Sequence, residues 1–203
     1  TTITVDIDRG VATLMLRRPE RLNAYTVEMG REIFGALSAL DEDDGVRAIV
    51  VTGAGRAFCA GLDLTSASAF DDPAGWERTR ELERACLPWN HGTPIIAAIN
   101  GPAVGIGATL PLQWDIRLAA ESARIGFVFT RRGIVPEAHS TWILPRLIGM
   151  SKATELLLSG RILSAQEALG YGVVSRVIPD DALLDEAWAL ARDIADNTAP
   201  VSV

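Results

Sequence analysis

The chain has 203 residues, of which 48% are hydrophobic, and this is enough apolar material to bury the core of one globular domain. Its 19 basic and 26 acidic residues give a net charge of −7, which argues against a nucleic-acid partner, since such surfaces carry a basic stripe. No apolar run approaches the ~20 residues of a membrane-spanning helix, and no secretory signal is recognisable. Two cysteines, Cys59 and Cys86, make no disulfide framework, so we expect a cytoplasmic protein without a membrane partner.

The first part of the chain predicts a β-hairpin followed by a helix. Residues Thr2 to Ile7 alternate polar and apolar side chains, and Val11 to Leu16 are mostly apolar. The intervening Asp8-Arg9-Gly10 is a turn signal, so the two runs predict a hairpin. Thr26 is a predicted N-cap, because apolar residues recur at helical spacing after it as far as Leu40.

Short apolar runs alternate with helical patterns through the rest of the chain. Runs typical of buried strands occur at Val46 to Thr52, Pro94 to Asn100, Asp115 to Ala119, Ile125 to Phe129 and Val173 to Ile178. Helical spacing occurs at Gly75 to Trp89, Thr141 to Ile148, Ser151 to Leu158, Ala165 to Leu169 and Asp180 to Asp196. This alternation indicates the α/β class. The small and polar run Ser66 to Pro73 predicts a mobile loop.

Two glycine-bearing loops, Gly53 to Leu64 and Asn100 to Gly107, follow two of the predicted strands. In a parallel sheet, loops that follow adjacent strands lie at the same edge, where ligands bind. Glycine lets the main chain approach a ligand without a Cβ in the way, and a helix that begins near Gly105 would offer unpaired N–H groups to negative charge. We therefore expect two N–H groups, one from each loop, to form an oxyanion hole.

Other glycine, cysteine and histidine chemistries fit the sequence less well. Gly105-Ile106-Gly107 lacks the third glycine of a dinucleotide site and the acidic residue about 20 positions further on. Gly53-Ala54-Gly55-Arg56 lacks the Lys-Ser/Thr pair of a phosphate loop. The two histidines have no cysteine or carboxylate cluster beside them, so we expect no metal site. Cys59 has no partnered histidine in the sequence, which favours a small buried thiol over a nucleophile.

Several stretches of the sequence resemble the crotonase, or enoyl-CoA hydratase/isomerase, superfamily. They are RPERLNAYT from Arg18 to Thr26, VRAIVVTGAGRAFCAGLDL from Val46 to Leu64, PIIAAINGPAVGIGATL from Pro94 to Leu110 and GIVPEAHSTWILPRLIG from Gly133 to Gly149. The run SGRILSAQEALGYGVVSRVI, from Ser159 to Ile178, follows in the expected place. The resemblance covers nearly the whole chain in one order, which makes it specific.

The resemblance implies a spiral of repeated ββα units that assembles into homotrimers or dimers of trimers and acts on acyl-CoA thioesters. It implies that the thioester oxygen lies between the N–H groups of Ala60 and Ile106, the second of which is glycine in most relatives. Coenzyme A is then part of the substrate, and no cofactor is bound permanently. The expected contacts with substrate or CoA are Arg18, Arg21, Leu22, Ala24, Asp63, Leu64, Gly105 and Pro136.

The reaction that the resemblance implies depends on Glu137. Hydratases of the family use two glutamates, and those positions fall on Thr109 and Phe129, neither of which transfers a proton at neutral pH. Glu137 stands where the similar Δ3,Δ2-enoyl-CoA isomerases carry their single catalytic glutamate. We therefore expect Glu137 to move a proton from C2 to C4, converting a 3-enoyl-CoA to a 2-enoyl-CoA. The alternatives are a hydratase that adds water to a 2-enoyl-CoA through Glu137, and a non-catalytic homologue that binds CoA esters.

The surroundings of Glu137 and the extent of the domain are also expectations. We expect an acyl pocket formed by Phe129, His139 and Trp142, in apolar surroundings that raise the pKa of Glu137. Residues 1–196 are expected to form the spiral core domain. Residues 197–203 are expected to begin a C-terminal helical segment that relatives carry and that is otherwise absent here.

Overall fold

The computed structural model describes residues 1–65, 73–87 and 89–197, and this part of the chain forms nine strands and seven α-helices. The strands are β1 (Ile3–Asp8), β2 (Val11–Leu16), β3 (Ala48–Gly53), β4 (Ile95–Ile99), β5 (Ala103–Val104), β6 (Ile116–Ala120), β7 (Arg124–Gly126), β8 (Ile162–Ser164) and β9 (Arg176–Ile178). The helices are α1 (Val27–Asp41), α2 (Pro73–Ala85), α3 (Ile106–Thr109), α4 (Ser140–Ile148), α5 (Met150–Ser159), α6 (Ala165–Tyr171) and α7 (Leu183–Asn197). Within these ranges, no helix combines the length and apolar character that crossing a bilayer requires.

Six strands form one sheet in the order β1-β2-β3-β4-β6-β9, and every neighbouring pair except β1 with β2 is parallel. Strands β5, β7 and β8 form a second, smaller sheet. Successive side chains of a strand point to opposite faces, so Val51 and Ala97 pack in the core on the α1 side, whereas Val50 and Ile96 pack against α7. Both faces of β3 and β4 are therefore covered, which explains why their sequences are uniformly apolar.

The predicted hairpin, the first helix and the α/β class are confirmed. Strands β1 and β2 are antiparallel, with Asp8 opposite Val11 around the two-residue turn. The Thr26 hydroxyl accepts a hydrogen bond from the Met29 amide at 3.1 Å and so caps α1. The other predicted helices are also present, with ends displaced by up to four residues.

Strands β7 and β9 are about half as long as predicted, because the length of a strand depends on its partners. Strand β7 ends at Gly126, since its neighbour β5 is only two residues long, and a 3-10 turn over Val128–Arg132 replaces the rest of the predicted strand. Strand β9 begins at Arg176 rather than Val173, because its pairing with β6 spans three residues. The predicted mobile loop at Ser66 to Pro73 lies outside the described residues apart from Pro73. The predicted C-terminal segment 197–203 lies outside them apart from Asn197, which is the last residue of α7.

Asn23 fastens the loop after β2 to the loop after β3. Its side chain is fully buried, and its amide nitrogen donates to the carbonyl oxygens of Ala54 at 2.9 Å and Ala57 at 2.7 Å. Its amide oxygen accepts from the Arg18 N–H at 2.8 Å. Its φ of 53° is in the left-handed region, which asparagine tolerates better than most residues. One side chain therefore satisfies three main-chain groups and sets the spacing of two loops.

Replacing Asn23 by alanine is expected to lower the free energy of unfolding by roughly 3 kcal/mol or more, because buried carbonyl groups would be left unpaired. Guanidinium unfolding followed by circular dichroism measures this change. The matched control is Asn90→Ala, which removes an exposed amide with a single hydrogen bond to the Arg84 carbonyl, and we expect it to cost less than about 1 kcal/mol. Equal losses in the two variants would contradict the structural role of Asn23.

Candidate active site

Three loops meet at the carboxyl edge of the larger sheet, where β2, β3 and β4 end. Because these strands are parallel neighbours, the loops that follow them lie side by side. Asn100 joins the second and third loops, since its amide nitrogen donates to the Gly53 carbonyl at 2.8 Å and its amide oxygen accepts from the Gly53 N–H at 3.1 Å. Asn23 joins the first loop to the second in the same way, so the edge is held by two asparagines.

Main chain packs directly against main chain between the second and third loops. A Cβ on Gly107 would lie 2.0 Å from the carbonyl oxygen of Cys59, and one on Gly101 would lie 2.2 Å from that of Arg56. No side chain fits at such distances, so only glycine allows this approach. The Cys59 amide donates to the Pro102 carbonyl at 3.1 Å across the same contact. The glycines therefore serve the contact between the loops.

Two unpaired main-chain amides lie beside a contact between Gly61 and Gly105. Both glycines have positive φ, 105° and 57°, and a Cβ on Gly105 would lie 3.9 Å from the Gly61 Cα. The next residues, Leu62 and Ile106, have N–H groups with no hydrogen-bond acceptor among the described residues. Ile106 is the first residue of α3, where N–H groups have no partner within the helix. Two free amides from separate loops are the elements of an oxyanion hole.

The prediction that Ala60 donates to the oxyanion is wrong. Its N–H already donates to the Leu22 carbonyl at 3.0 Å. The amide of Leu62 is unpaired because Tyr25 pairs with the residue on each side of it. Sequence reasoning missed Leu62, since nothing in the sequence distinguishes the amides on the two sides of Gly61.

An unusual turn before α4 places the Glu137 carboxyl group against Thr109, the last residue of α3. Ala138 and His139, which separate it from α4, both have left-handed conformations with φ of 51° and 55°. The Thr109 hydroxyl donates a hydrogen bond to Glu137 Oε1 at 2.6 Å. Burial raises the pKa of Glu137 to about 7, the bond from Thr109 acts in the opposite direction, and the negative charge of Glu83 adds to the rise. Glu137 can therefore release and accept a proton near neutral pH.

A cavity of about 390 Å³ opens beside Glu137. Its lining consists of Arg80, Glu83, Arg84, Glu137, Ala138 and His139. The side chains from α2 are charged, so this cavity is more polar than the apolar surroundings that we expected for the acid.

Two of the three predicted acyl-pocket residues, His139 and Trp142, contact the same tryptophan ring, and the third lies in the core. His139 lines the cavity, whereas Phe129 is 7% exposed and belongs to the hydrophobic core. Trp142 is half exposed, with the Arg146 guanidinium 3.9 Å above its ring. Its ring lies 5.5 Å from that of Trp89, which in turn lies 6.1 Å from the His139 ring. The placement of Phe129 in the acyl pocket is therefore corrected to the core, and an acyl pocket at His139 and Trp142 stays a prediction.

A second cavity, of about 310 Å³, lies between the first two loops and includes Arg18, Arg21, Asp63 and Thr65 in its lining. Arg18 is paired with Asp63 at 2.9 Å. Hydrogen bonds from Thr65 and the Arg18 guanidinium lower the pKa of Asp63 to about 2. Three of the expected CoA contacts thus share one polar cavity.

The remaining expected contacts are not among the residues that line the two cavities. Leu22 and Ala24 use their carbonyl groups within the protein, as acceptors for Ala60 and Arg18. Leu64 is 54% exposed, and Pro136 is half-buried directly before Glu137.

Other reactive side chains near the loops are neutral at physiological pH. Burial raises the pKa of Cys59 to about 11 and raises that of Tyr25 well above its usual value. Cys59 is therefore a buried thiol rather than a thiolate nucleophile. Within the described ranges no three His, Cys, Asp or Glu side chains are placed to hold a metal ion.

The sequence and the fold were compared with those of known proteins. The family model described as enoyl-CoA hydratase/isomerase matches residues 6–202. The chain is 40% identical to 1,2-epoxyphenylacetyl-CoA isomerase of Escherichia coli over 196 residues, which is 93% of this chain and 74% of that protein. It is 43% identical to the enoyl-CoA hydratase ACTT3 of Alternaria alternata, across 96% of this chain and 66% of that protein. The chain thus spans two thirds to three quarters of these relatives.

A solved structure gives the same result for the fold. The enoyl-CoA hydratase of Bacillus anthracis superimposes with a TM-score of 0.90 at 36% identity, covering 99% of this chain and 79% of that one. The predicted crotonase-type fold is confirmed by this likeness. The chain belongs to the enoyl-CoA hydratase/isomerase family of enzymes.

Proposed function

We propose that this chain converts a 3-enoyl-CoA to a 2-enoyl-CoA, with Glu137 as its proton carrier. The observation that carries the proposal is one carboxyl group with a pKa of about 7, held by Thr109 at the end of the short helix whose first residue, Ile106, offers one of the two free amides. The Glu137 carboxylate takes a proton from C2, and the electron pair of that bond moves into an enolate. The same carboxylic acid then returns the proton at C4, so no atom is gained or lost.

The enolate oxygen is stabilised by the N–H groups of Leu62 and Ile106. Neither amide has another acceptor among the described residues, so both are available to the developing negative charge. Removing one donor from a comparable hole costs roughly 3–4 kcal/mol of transition-state stabilisation. The two amides therefore contribute to the rate on the same scale as the proton carrier.

The CoA portion of the substrate is assigned to the cavity that contains Arg18, Arg21 and Asp63. Arg21 is exposed at its surface and is placed to meet a phosphate, whereas Arg18 is engaged with Asp63 and shapes the loop. Coenzyme A enters and leaves with the substrate, and we infer no resident cofactor.

The cellular location and the oligomeric state are inferred from the resemblance to the family. We infer a cytoplasmic homotrimer or dimer of trimers, built on a core domain over residues 1–196. Exposed apolar side chains on α4 and α5, namely Trp142, Leu147, Met150 and Leu158, are consistent with contacts between copies.

A hydratase is the second candidate, because the Alternaria and Bacillus relatives carry that name. Two positions that the family's hydratases occupy with glutamates are Thr109 and Phe129 here, and Phe129 lies in the core. Formation of a 3-hydroxyacyl-CoA from a 2-enoyl-CoA would identify the hydratase. Formation of a conjugated 2-enoyl thioester from a 3-enoyl-CoA, without hydration, would identify the isomerase.

Glu137→Gln is expected to lower kcat for the isomerisation by about 10²–10⁴-fold, the usual contribution of a general acid/base. Ultraviolet absorbance of the conjugated thioester measures the rate. Calorimetric titration with a saturated acyl-CoA is the control, and its affinity should change by less than about threefold, since the amide keeps the Thr109 contact. Wild-type turnover by this variant would exclude Glu137 as the proton carrier.

Ile106→Pro removes one proposed oxyanion donor. Proline is well tolerated at the first position of a helix, and the lost N–H has no other partner among the described residues. We expect kcat to fall by about 10²–10³-fold. Ile106→Ala, which keeps the N–H and removes most of the side chain, is the matched control. A similar loss in both variants, with native circular dichroism spectra, would count against the amide.

Thr109→Val is expected to raise the pKa of Glu137 above its present value of about 7, because the hydrogen bond from Thr109 stabilises the carboxylate. The acid limb of the kcat/KM profile should move to higher pH by roughly one unit, so activity at pH 7 falls more than activity at pH 9. Thr109→Ser keeps the donor and should leave the limb in place. An unchanged limb in the valine variant would contradict this role.

A further inference from the structure

A second carboxyl group, that of Glu83 on α2, faces the same cavity as Glu137. Its side chain is 18% exposed, whereas Glu77 and Glu81 on the same helix are exposed to solvent. The two carboxyl groups come from elements 54 positions apart in the sequence. The sequence of this highly charged helix does not distinguish Glu83 from its exposed neighbours. Contacts with other parts of the fold therefore keep its side chain mostly buried.

Gln113 holds Glu83 in this position. Its amide nitrogen, in the buried 3-10 turn over Leu110–Gln113, donates to Glu83 Oε1 at 2.9 Å. The amide oxygen of Gln113 is buried without a hydrogen-bond partner within the described ranges. Leaving a buried acceptor unpaired costs about 1–3 kcal/mol, and reversing the amide would instead set its oxygen against the carboxylate. The contact with Glu83 is thus the interaction that orients Gln113.

We propose that Glu83 is a positioning residue of the acid/base site, whose carboxylate acts on the substrate through the proton carried by Glu137. This inference deepens the function proposed above and rests on it. Both carboxyl groups face one cavity, and the negative charge of Glu83 disfavours the charged form of Glu137. Glu83 therefore makes Glu137 a stronger base and keeps its proton available in the neutral range.

Other charged and titratable groups also face Glu137, and some favour its protonated form whereas others favour the carboxylate. Arg80 and Arg84 line the cavity from α2, but each also lies within 4 Å of Glu77, at 3.6 and 3.8 Å, and both are well exposed. His139 lies beside Glu137, with its Nδ1 at 4.0 Å from Glu83 Oε1. The Tyr25 phenol and the Cys59 thiol approach from the first two loops and are neutral at pH 7. Glu83 is the group on α2 that favours protonation of Glu137.

The test is a titration of the glutamate carboxyl carbons by ¹³C NMR in the resting full chain, with the Glu137 signal identified by its loss in Glu137→Gln. In Glu83→Gln, which keeps the size and the Gln113 contact of the side chain, the midpoint of Glu137 should fall by roughly one pH unit. Glu83→Asp, which restores the charge, should recover most of the wild-type midpoint. Glu81→Gln, the exposed neighbour, should leave it unchanged.

The same variants are then assayed for 3-enoyl-CoA turnover as a function of pH. The acid limb of the kcat/KM profile should move to lower pH in Glu83→Gln and stay in place in Glu81→Gln. A wild-type midpoint and limb in Glu83→Gln, with native circular dichroism, would overturn the inference. If the NMR midpoint of Glu137 is displaced in Glu83→Gln but the wild-type chain turns over no 3-enoyl-CoA, the role of Glu83 is supported and the proposed reaction is rejected.

Discussion

The site depends on the direct contact between two stretches of main chain at the carboxyl edge of the sheet. The carbonyl oxygens of Cys59 and Arg56 occupy space that a Cβ on Gly107 or Gly101 would need, so the contact exists only because glycine has no side chain. This contact fixes the spacing between the amides of Leu62 and Ile106, one in each of the two loops. Because these donors are main-chain groups, the residue that carries them can vary. The side chain of Ile106 packs against the core, so the isoleucine found where most relatives have glycine leaves its N–H available.

The acid/base behaviour of Glu137 is a balance of opposing effects. Burial alone would favour the neutral carboxylic acid, and the charge of Glu83 acts in the same direction. The hydrogen bond from Thr109 favours the carboxylate and limits the rise of the pKa to about 7. A much higher pKa would leave too little base at neutral pH, and a much lower one would leave a weak base. Thr109, at a position where the resemblance places a glutamate in hydratases, thus adjusts the pKa of the acid that we propose as the proton carrier.

The local parts of the fold were predictable from the sequence, and the parts that depend on distant partners were not. The hairpin, the Thr26 cap and the buried strands follow from turn chemistry and periodicity over a few residues. The end of β7 depends on the length of β5, and the start of β9 depends on its register with β6. The roles of Asn23 and Asn100 were missed for the same reason, since each is defined by carbonyl groups of another loop. The resemblance identified the family, but it did not select between the amides around Gly61.

The residues of the site were also predictable only where a local sequence motif indicated them. The motif around Glu137 identified the acid, whereas Trp142, only five positions away, is not among the residues that line the cavity beside it and reaches His139 through the ring of Trp89. The helix explains this difference, because Ile143 and Leu144 occupy the buried side of α4 and leave Trp142 half exposed. Nothing in the sequence indicated a role for Glu83, since a glutamate in a charged helix is normally exposed to solvent. The group that adjusts the acid is thus recognisable only when the fold brings α2 against the turn before α4.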